Sequence, residues 1–205
     1  EGSLPTDLAF ATTEKGHILL VTTKAGLVIV LEDPDNSPAK KTALDMQSQV
    51  CTQSERGLGG ITTHPNFLQN RFIYLYYTYK DGLSGCRNRC SRFLMDSNNE
   101  VIFDSEMVLF QTEIMENRIH NSGSMAFGKD GYLYVAVGDG DLGRSSRRAS
   151  QILDNLFGKI LRLKDDGTIP DDNPFTGTGT RCSNGGVSSS DDTTCAEIFA
   201  FGLRN

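Results

Sequence analysis

Short apolar runs alternate with glycine, aspartate and asparagine turns along the chain, and apolar stripes of helical period are scarce. The clearest run follows His17: Ile18, Leu19, Leu20 and Val21 lead into Thr22 and Thr23, Lys24-Ala-Gly turns the chain, and residues 27–31 return. Two strands rich in branched side chains around a glycine turn predict a hairpin. An alternating aromatic run over 71–79 comes next. After a Gly/Arg/Asn stretch between Cys86 and Cys90, read as a loop, strands are predicted over 91–96 and 100–103 with a turn at Ser97-Asn-Asn between them. A third group opens at Ser124, turns at Lys129-Asp-Gly, runs over 132–138 and resumes at 159–163 before the turn at Asp165-Asp-Gly.

One strand pattern recurs near Ile18, Ile73 and Leu133, at intervals of about 55 to 60 residues. The repeat divides the chain into blade-like units over about 8–50, 55–115 and 120–170, with 196–205 opening the next. Repeated antiparallel units joined by polar turns predict an all-β fold of the β-propeller type. A β-sandwich fits the strand count, but it does not predict similar units at a regular interval. Three units and the start of a fourth are fewer than a closed ring needs, and an open half-ring would leave sheet edges and core exposed. The chain is therefore expected to be the N-terminal part of a larger propeller, completed by blades from the same polypeptide or from another chain.

Composition narrows the function. With 38% hydrophobic residues among 205, 21 Gly and no Trp, the chain can build a packed core but is poorly suited to a helical bundle. A net charge of −6 with scattered Lys and Arg gives no footprint for nucleic acid. No apolar stretch approaches the roughly 20 residues of a membrane-spanning helix. The sequence begins at Glu1 with no basic segment leading into an apolar one, as expected of a chain whose targeting peptide is removed or which starts late.

Five cysteines add a compartment. Cys86 with Cys90, and Cys182 with Cys195, bracket short polar stretches, and two local disulfides are the simplest pairing. A zinc site is the alternative, but His17, His64 and His120 lie far from both pairs in sequence. Disulfides imply an oxidising, extracellular or periplasmic location. Cys51 is left over, either as a free thiol or with a partner outside the chain.

Reactive groups concentrate at Ile119-His-Asn-Ser-Gly-Ser and at Gly138-Asp-Gly-Asp, which flank two successive predicted strands. A hairpin would bring His120 and Asp139 to the same end, where a carboxylate could fix the tautomer of a histidine acting as general base. A solvated loop histidine and an ordinary Gly-Asp-Gly turn fit the same spacing. Turn carboxylates also bind calcium, but the alternating ligands of an EF-hand are missing after Gly138. The acidic pairs Asp165-Asp166 and Asp171-Asp172 read as solvated turns and His64 as structural, while the residues alone give Arg204 and Asn205 no role.

Several segments in order resemble one family: Glu55-Arg-Gly-Leu-Gly-Gly-Ile-Thr-Thr-His-Pro-Asn-Phe, Phe72-Ile-Tyr-Leu-Tyr-Tyr-Thr, His120-Asn-Ser-Gly-Ser-Met-Ala-Phe-Gly, Leu156-Phe-Gly-Lys-Ile-Leu-Arg-Leu and Glu197-Ile-Phe-Ala-Phe-Gly-Leu-Arg-Asn. They are similar to the soluble aldose sugar (glucose) dehydrogenases that use pyrroloquinoline quinone, PQQ. Hedgehog-interacting-protein-like domains resemble a divergent branch of the same propeller. The resemblance implies a six-bladed ring with the quinone on one face, His120 as the base that takes the proton of the anomeric hydroxyl, and Asp139 as its orienting partner. It further implies Arg204 and Asn205 as quinone contacts, and Glu55 at the position of a substrate-facing glutamine. Calcium and most of the basic quinone contacts would lie beyond Asn205. Ile119 departs from the aspartate that the glucose enzymes carry beside the histidine. Two functions follow as expectations: part of a secreted, PQQ-dependent aldose dehydrogenase, or a non-catalytic extracellular propeller that binds another protein.

Overall fold

A computed structural model describes residues 4–36, 38–82, 85–115, 117–141, 149–182 and 194–204. They form three four-stranded antiparallel sheets. The first contains β1 (Pro5–Thr13), β2 (Gly16–Thr23), β3 (Leu27–Glu32) and β4 (Ala39–Asp45), hydrogen-bonded in chain order. The second contains β5 (Leu58–Thr63), β6 (Phe72–Asp81), β7 (Gly85–Met95) and β8 (Val101–Gln111), with one turn of helix, α1 (Phe67–Asn70), between its first two strands. The third contains β9 (Ser122–Phe127), β10 (Leu133–Val137), β11 (Lys159–Leu163) and β12 (Ile198–Phe201). The strand pattern that recurs in the sequence is the second strand of each sheet.

The sheets stack face to face, and the middle one is apolar on both sides. From β6, Ile73, Leu75 and Tyr77 pack against Leu20, Val28 and Val30 of the first sheet. Tyr74 and Tyr76 of the same strand point the other way and join Leu133, Val135, Leu161 and Leu163 of the third. Burial on two faces explains why this strand is a continuous apolar run, where a strand with one wet face would alternate. Each such side chain withdrawn from water contributes roughly 1.5–3 kcal/mol.

The first strand of each sheet lies at the hub. β1 packs beside β5 and β5 beside β9, so the sheets form an open arc. The Thr6 hydroxyl donates to the Leu58 carbonyl and that of Thr63 to the Phe10 carbonyl, so β1 and β5 run in the same direction. At the start of β5, Gly59 and Gly60 lie against Ser122 and Gly123 at the start of β9; a Cβ on Gly60 would come 2.0 Å from the Gly123 carbonyl oxygen. Glycine is required there by close backbone approach. The ends that precede β5 and β9 thus share one face of the arc.

Three expectations are corrected. Residues 196–205 do not open a fourth unit: Ile198–Phe201 pairs antiparallel with β11 as the outer strand of the third sheet. The chain leaves that sheet after β11 and returns to it through a long insertion. Nor do Cys86 and Cys90 bracket a loop. Both lie within β7, where four residues of extended chain separate them by about 13 Å, beyond the reach of a disulfide. Cys86 is bonded to Cys51, so Cys51 is neither a free thiol nor paired outside the chain, and Cys90 is the buried free thiol. The Cys182–Cys195 disulfide is present.

Candidate functional site

Four elements end on the shared face of the third sheet. β9 begins at Ser122, β10 ends at Val137, β11 begins at Lys159 and β12 ends at Phe201, so the residues just outside them meet. Val137 pairs with Ser122, which sets His120 and Asp139 opposite each other two residues further out. His120 Nδ1 lies 2.7 Å from Asp139 Oδ1. The same oxygen accepts the Asp141 backbone N–H at 3.0 Å, and Asp141 Oδ1 lies 3.9 Å from the His120 ring nitrogen. An ionised carboxylate only accepts, so Nδ1 carries the hydrogen and Nε2 is left as the basic nitrogen.

The backbone here is held in an unusual form. His120 and Ser122 both have φ of 57° and Asp141 has φ of 53°, the left-handed region that non-glycine residues seldom occupy. The His120 carbonyl accepts from Gly140 N–H at 3.1 Å, and its N–H donates to Glu55 Oε2 at 2.6 Å. A Cβ on Gly138 would meet the His120 carbonyl oxygen at 2.0 Å. Glycine at 138 is thus a steric requirement of the histidine loop.

A second layer lies underneath. Tyr76 Oη donates to the Asn121 carbonyl at 2.9 Å, and the Asn121 side chain donates to the Arg118 carbonyl at 3.3 Å. Asn121 Oδ1 is buried with no hydrogen-bond partner among the described residues, an unspent acceptor beside the histidine. Buried Arg56 donates through Nη2 to the carbonyls of Met115 at 2.8 Å and Asn117 at 2.7 Å, and through Nη1 to Cys86 Sγ at 3.2 Å. Burial first, then the nearby Arg118 guanidinium, lowers the pKa of Arg56.

The structure gathers four residues singled out from the sequence. Glu55 and Asp139 both contact His120. Arg204 joins through its backbone, its carbonyl accepting Asp139 N–H at 2.8 Å, while its side chain is exposed. Asn205 lies outside the described residues. Ile119 is half-buried beside the histidine.

A family model described as Glucose / Sorbosone dehydrogenase matches residues 3–205. The chain belongs to that family. It is 30% identical over 200 residues to the aldose sugar dehydrogenase YliI of Escherichia coli (strain K12), covering 96% of this chain and 48% of that protein. It is 29% identical over 207 residues to the Hedgehog-interacting protein of Mus musculus, covering 92% of this chain and 27% of that protein. Among solved structures, the PQQ-bound aldose sugar dehydrogenase of Streptomyces coelicolor matches at 25% identity with a TM-score of 0.75, covering all of this chain and 52% of the other. The glucose dehydrogenase of Thermus thermophilus matches at 28% with a TM-score of 0.76, covering 99% and 53%. The three sheets are those of PQQ glucose dehydrogenase propellers, and the chain spans about half the length of YliI and of these structures.

The described side chains fit the groups implied by the family to different degrees. For a quinone bearing carboxylates, exposed Arg118 and Arg204 meet this face through their backbone carbonyls, which accept the N–H groups of Glu55 and Asp139. The two arginine charges are outnumbered by the carboxylates of Glu55, Asp139 and Asp141, so the described residues supply only part of what a polyanion needs. For calcium, the described residues bring three candidate ligand atoms together at Cys182, Cys195 and Glu197. The two sulfurs there are in a disulfide and Glu197 accepts Cys182 N–H at 2.9 Å, so this group does not fit a hard cation that takes oxygen ligands.

Sequence reasoning did not assign Asp141, Asn121 or Arg56. Asp141 was visible in Gly138-Asp-Gly-Asp, whereas the other two act through carbonyls, which carry no residue-type signal.

Proposed function

We propose that this chain carries the proton-accepting half of an aldose dehydrogenase site. The observation behind this reading is the His120–Asp139 pair at 2.7 Å, which leaves Nε2 basic. Bound PQQ would supply the oxidant, accepting hydride from C1 of the sugar. His120 Nε2 takes the proton of the C1 hydroxyl as that carbon becomes a carbonyl, and Asp139 stabilises the imidazolium that forms. Arg204, with Asn205 and groups outside this chain, would hold the quinone; calcium would be held outside the described residues. Glu55, the resemblance-based candidate for a sugar contact, stands beside the same histidine. The two disulfides support secretion into an oxidising compartment.

The test uses the whole protein with PQQ and calcium, reading dye reduction over a panel of aldoses. Turnover abolished by His120→Ala is expected. Failure to bind the quinone or to turn over any aldose would sink the enzyme and leave the second reading, a non-catalytic extracellular propeller that binds a protein. The similarity to Hedgehog-interacting protein and the half-buried Ile119 beside the histidine favour that second reading.

A further inference from the structure

Position 55 is assigned to the sugar by resemblance, but its contacts run to the histidine loop. Glu55 Oε2 accepts the His120 backbone N–H at 2.6 Å, and Glu55 N–H donates to the Arg118 carbonyl at 3.1 Å. The next residue, Arg56, holds the carbonyls of Met115 and Asn117. Glu55 and Arg56 therefore grip the segment that leads into His120 along its length. Their own position is set from behind. Gly57 packs on Lys24, where a Cβ would come 2.8 Å from the Lys24 carbonyl, and the Gly57 carbonyl accepts Thr78 N–H at 2.8 Å.

The grip matters because His120 is left-handed, with φ of 57°. A non-glycine residue in that region is strained and persists only where its surroundings over-determine it. Three hydrogen bonds do so here: Gly140 N–H to the carbonyl, Asp139 to the ring, and Glu55 to the N–H. Glu55 is the one that comes from another sheet. A charge-assisted bond of this length is about twice as strong as a neutral one.

We propose that Glu55 is a positioning residue, whose carboxylate locks the left-handed backbone of His120 and thereby aims Nδ1–H at Asp139. This deepens the reading of His120 as base and rests on it for the kinetic arm of the test alone. Glu55→Met keeps the bulk but removes the acceptor; Glu55→Gln keeps an acceptor. Glu55 is exposed, so neither change disturbs the core.

The first measurement is nitrogen-15 imidazole NMR of the whole protein without cofactor. The Nδ1–H tautomer of His120 is expected in the parent and in E55Q, and a mixture of tautomers in E55M. In the loaded protein, E55M is expected to lower kcat roughly tenfold or more for every aldose with KM within about twofold, with E55Q restoring most of the loss. An E55M protein that keeps the parent tautomer would overturn the proposal, as would a defect confined to the KM of particular sugars. If no aldose is oxidised by the parent while the tautomers shift as expected, the enzyme reading fails and the positioning role stands.

Discussion

His120 and Asp139 are 19 residues apart, yet the Val137–Ser122 pair at the end of the β9–β10 hairpin brings their side chains to 2.7 Å. Because Asp139 also accepts the Asp141 N–H, its orientation does not depend on the histidine alone. Asp139→Asn would keep this shape but add a donor, allowing the imidazole to place its hydrogen on Nε2 and lose its basic nitrogen there. A fall in kcat on the order of 10²–10⁴ is expected, with thermal unfolding little changed. Steady-state dye reduction by the whole PQQ-loaded protein measures it; full activity in D139N would remove Asp139 from the chemistry.

The disulfides make a sharper structural prediction. Cys51–Cys86 spans 35 residues and Cys182–Cys195 spans 13, so loop-closure entropy assigns the first about 4 kcal/mol and the second about 3. Replacing each pair by alanine should lower unfolding free energy in that order. Burial pushes the Cys90 thiol well above its ordinary pKa, so Cys90 should resist alkylation until the protein unfolds. Non-reducing peptide mapping checks the pairing, and a Cys86–Cys90 link would refute it.

The misreading of residues 86–90 shows where sequence periodicity stops being informative. Arg87, Asn88 and Arg89 make the stretch look like a solvated loop, but each is satisfied inside the sheet. Arg87 Nε lies 2.5 Å from Asp81 Oδ2, fully buried Asn88 bonds Thr78 and Thr112, and the Arg89 guanidinium stacks 3.4 Å from the Tyr79 ring centroid. Partners that neutralise a polar strand come from neighbouring strands and are invisible locally. The same limit hid β12, whose partner β11 lies across an insertion. His120 and Asp139 were legible because a hairpin relates them. The Glu55 contact was not, because it crosses 65 residues and two sheets.

Close approach of the hub strands gives a third test. A methyl group on Gly60 would stand 2.0 Å from the Gly123 carbonyl oxygen, which is backbone and has no rotamer to yield. Gly60→Ala should therefore cost about 1–3 kcal/mol or more and disturb the start of β9, two residues from His120. Gly82→Ala, with nothing within 4 Å but φ of 54°, should cost only the strain of a left-handed residue. Urea unfolding of the two variants compares them, and equal losses would mean that the hub is looser than the structure has it.

Lys159 gives the stability a pH dependence of its own. It is fully buried at the start of β11, donating to the carbonyls of Ala149 at 2.7 Å and Phe157 at 2.5 Å. Burial, partly offset by the charge of Asp154, lowers its pKa to about 8. In the unfolded chain a lysine titrates near 10.4, so between about pH 8 and 10.4 the unfolded state binds more protons than the folded one. Stability from this group must then rise with pH across that window, while below pH 8 the folded protein bears the full cost of a buried ammonium. The expected gain is about 3 kcal/mol. Buried tyrosines oppose it at high pH, since burial raises Tyr74, Tyr76 and Tyr77 above their ordinary values. The difference between the parent and Lys159→Met cancels that contribution. Chemical unfolding of both from pH 7 to 10.5 should show the parent gaining on the variant as pH rises, and a flat difference would mean that Lys159 enters the fold with its ordinary pKa.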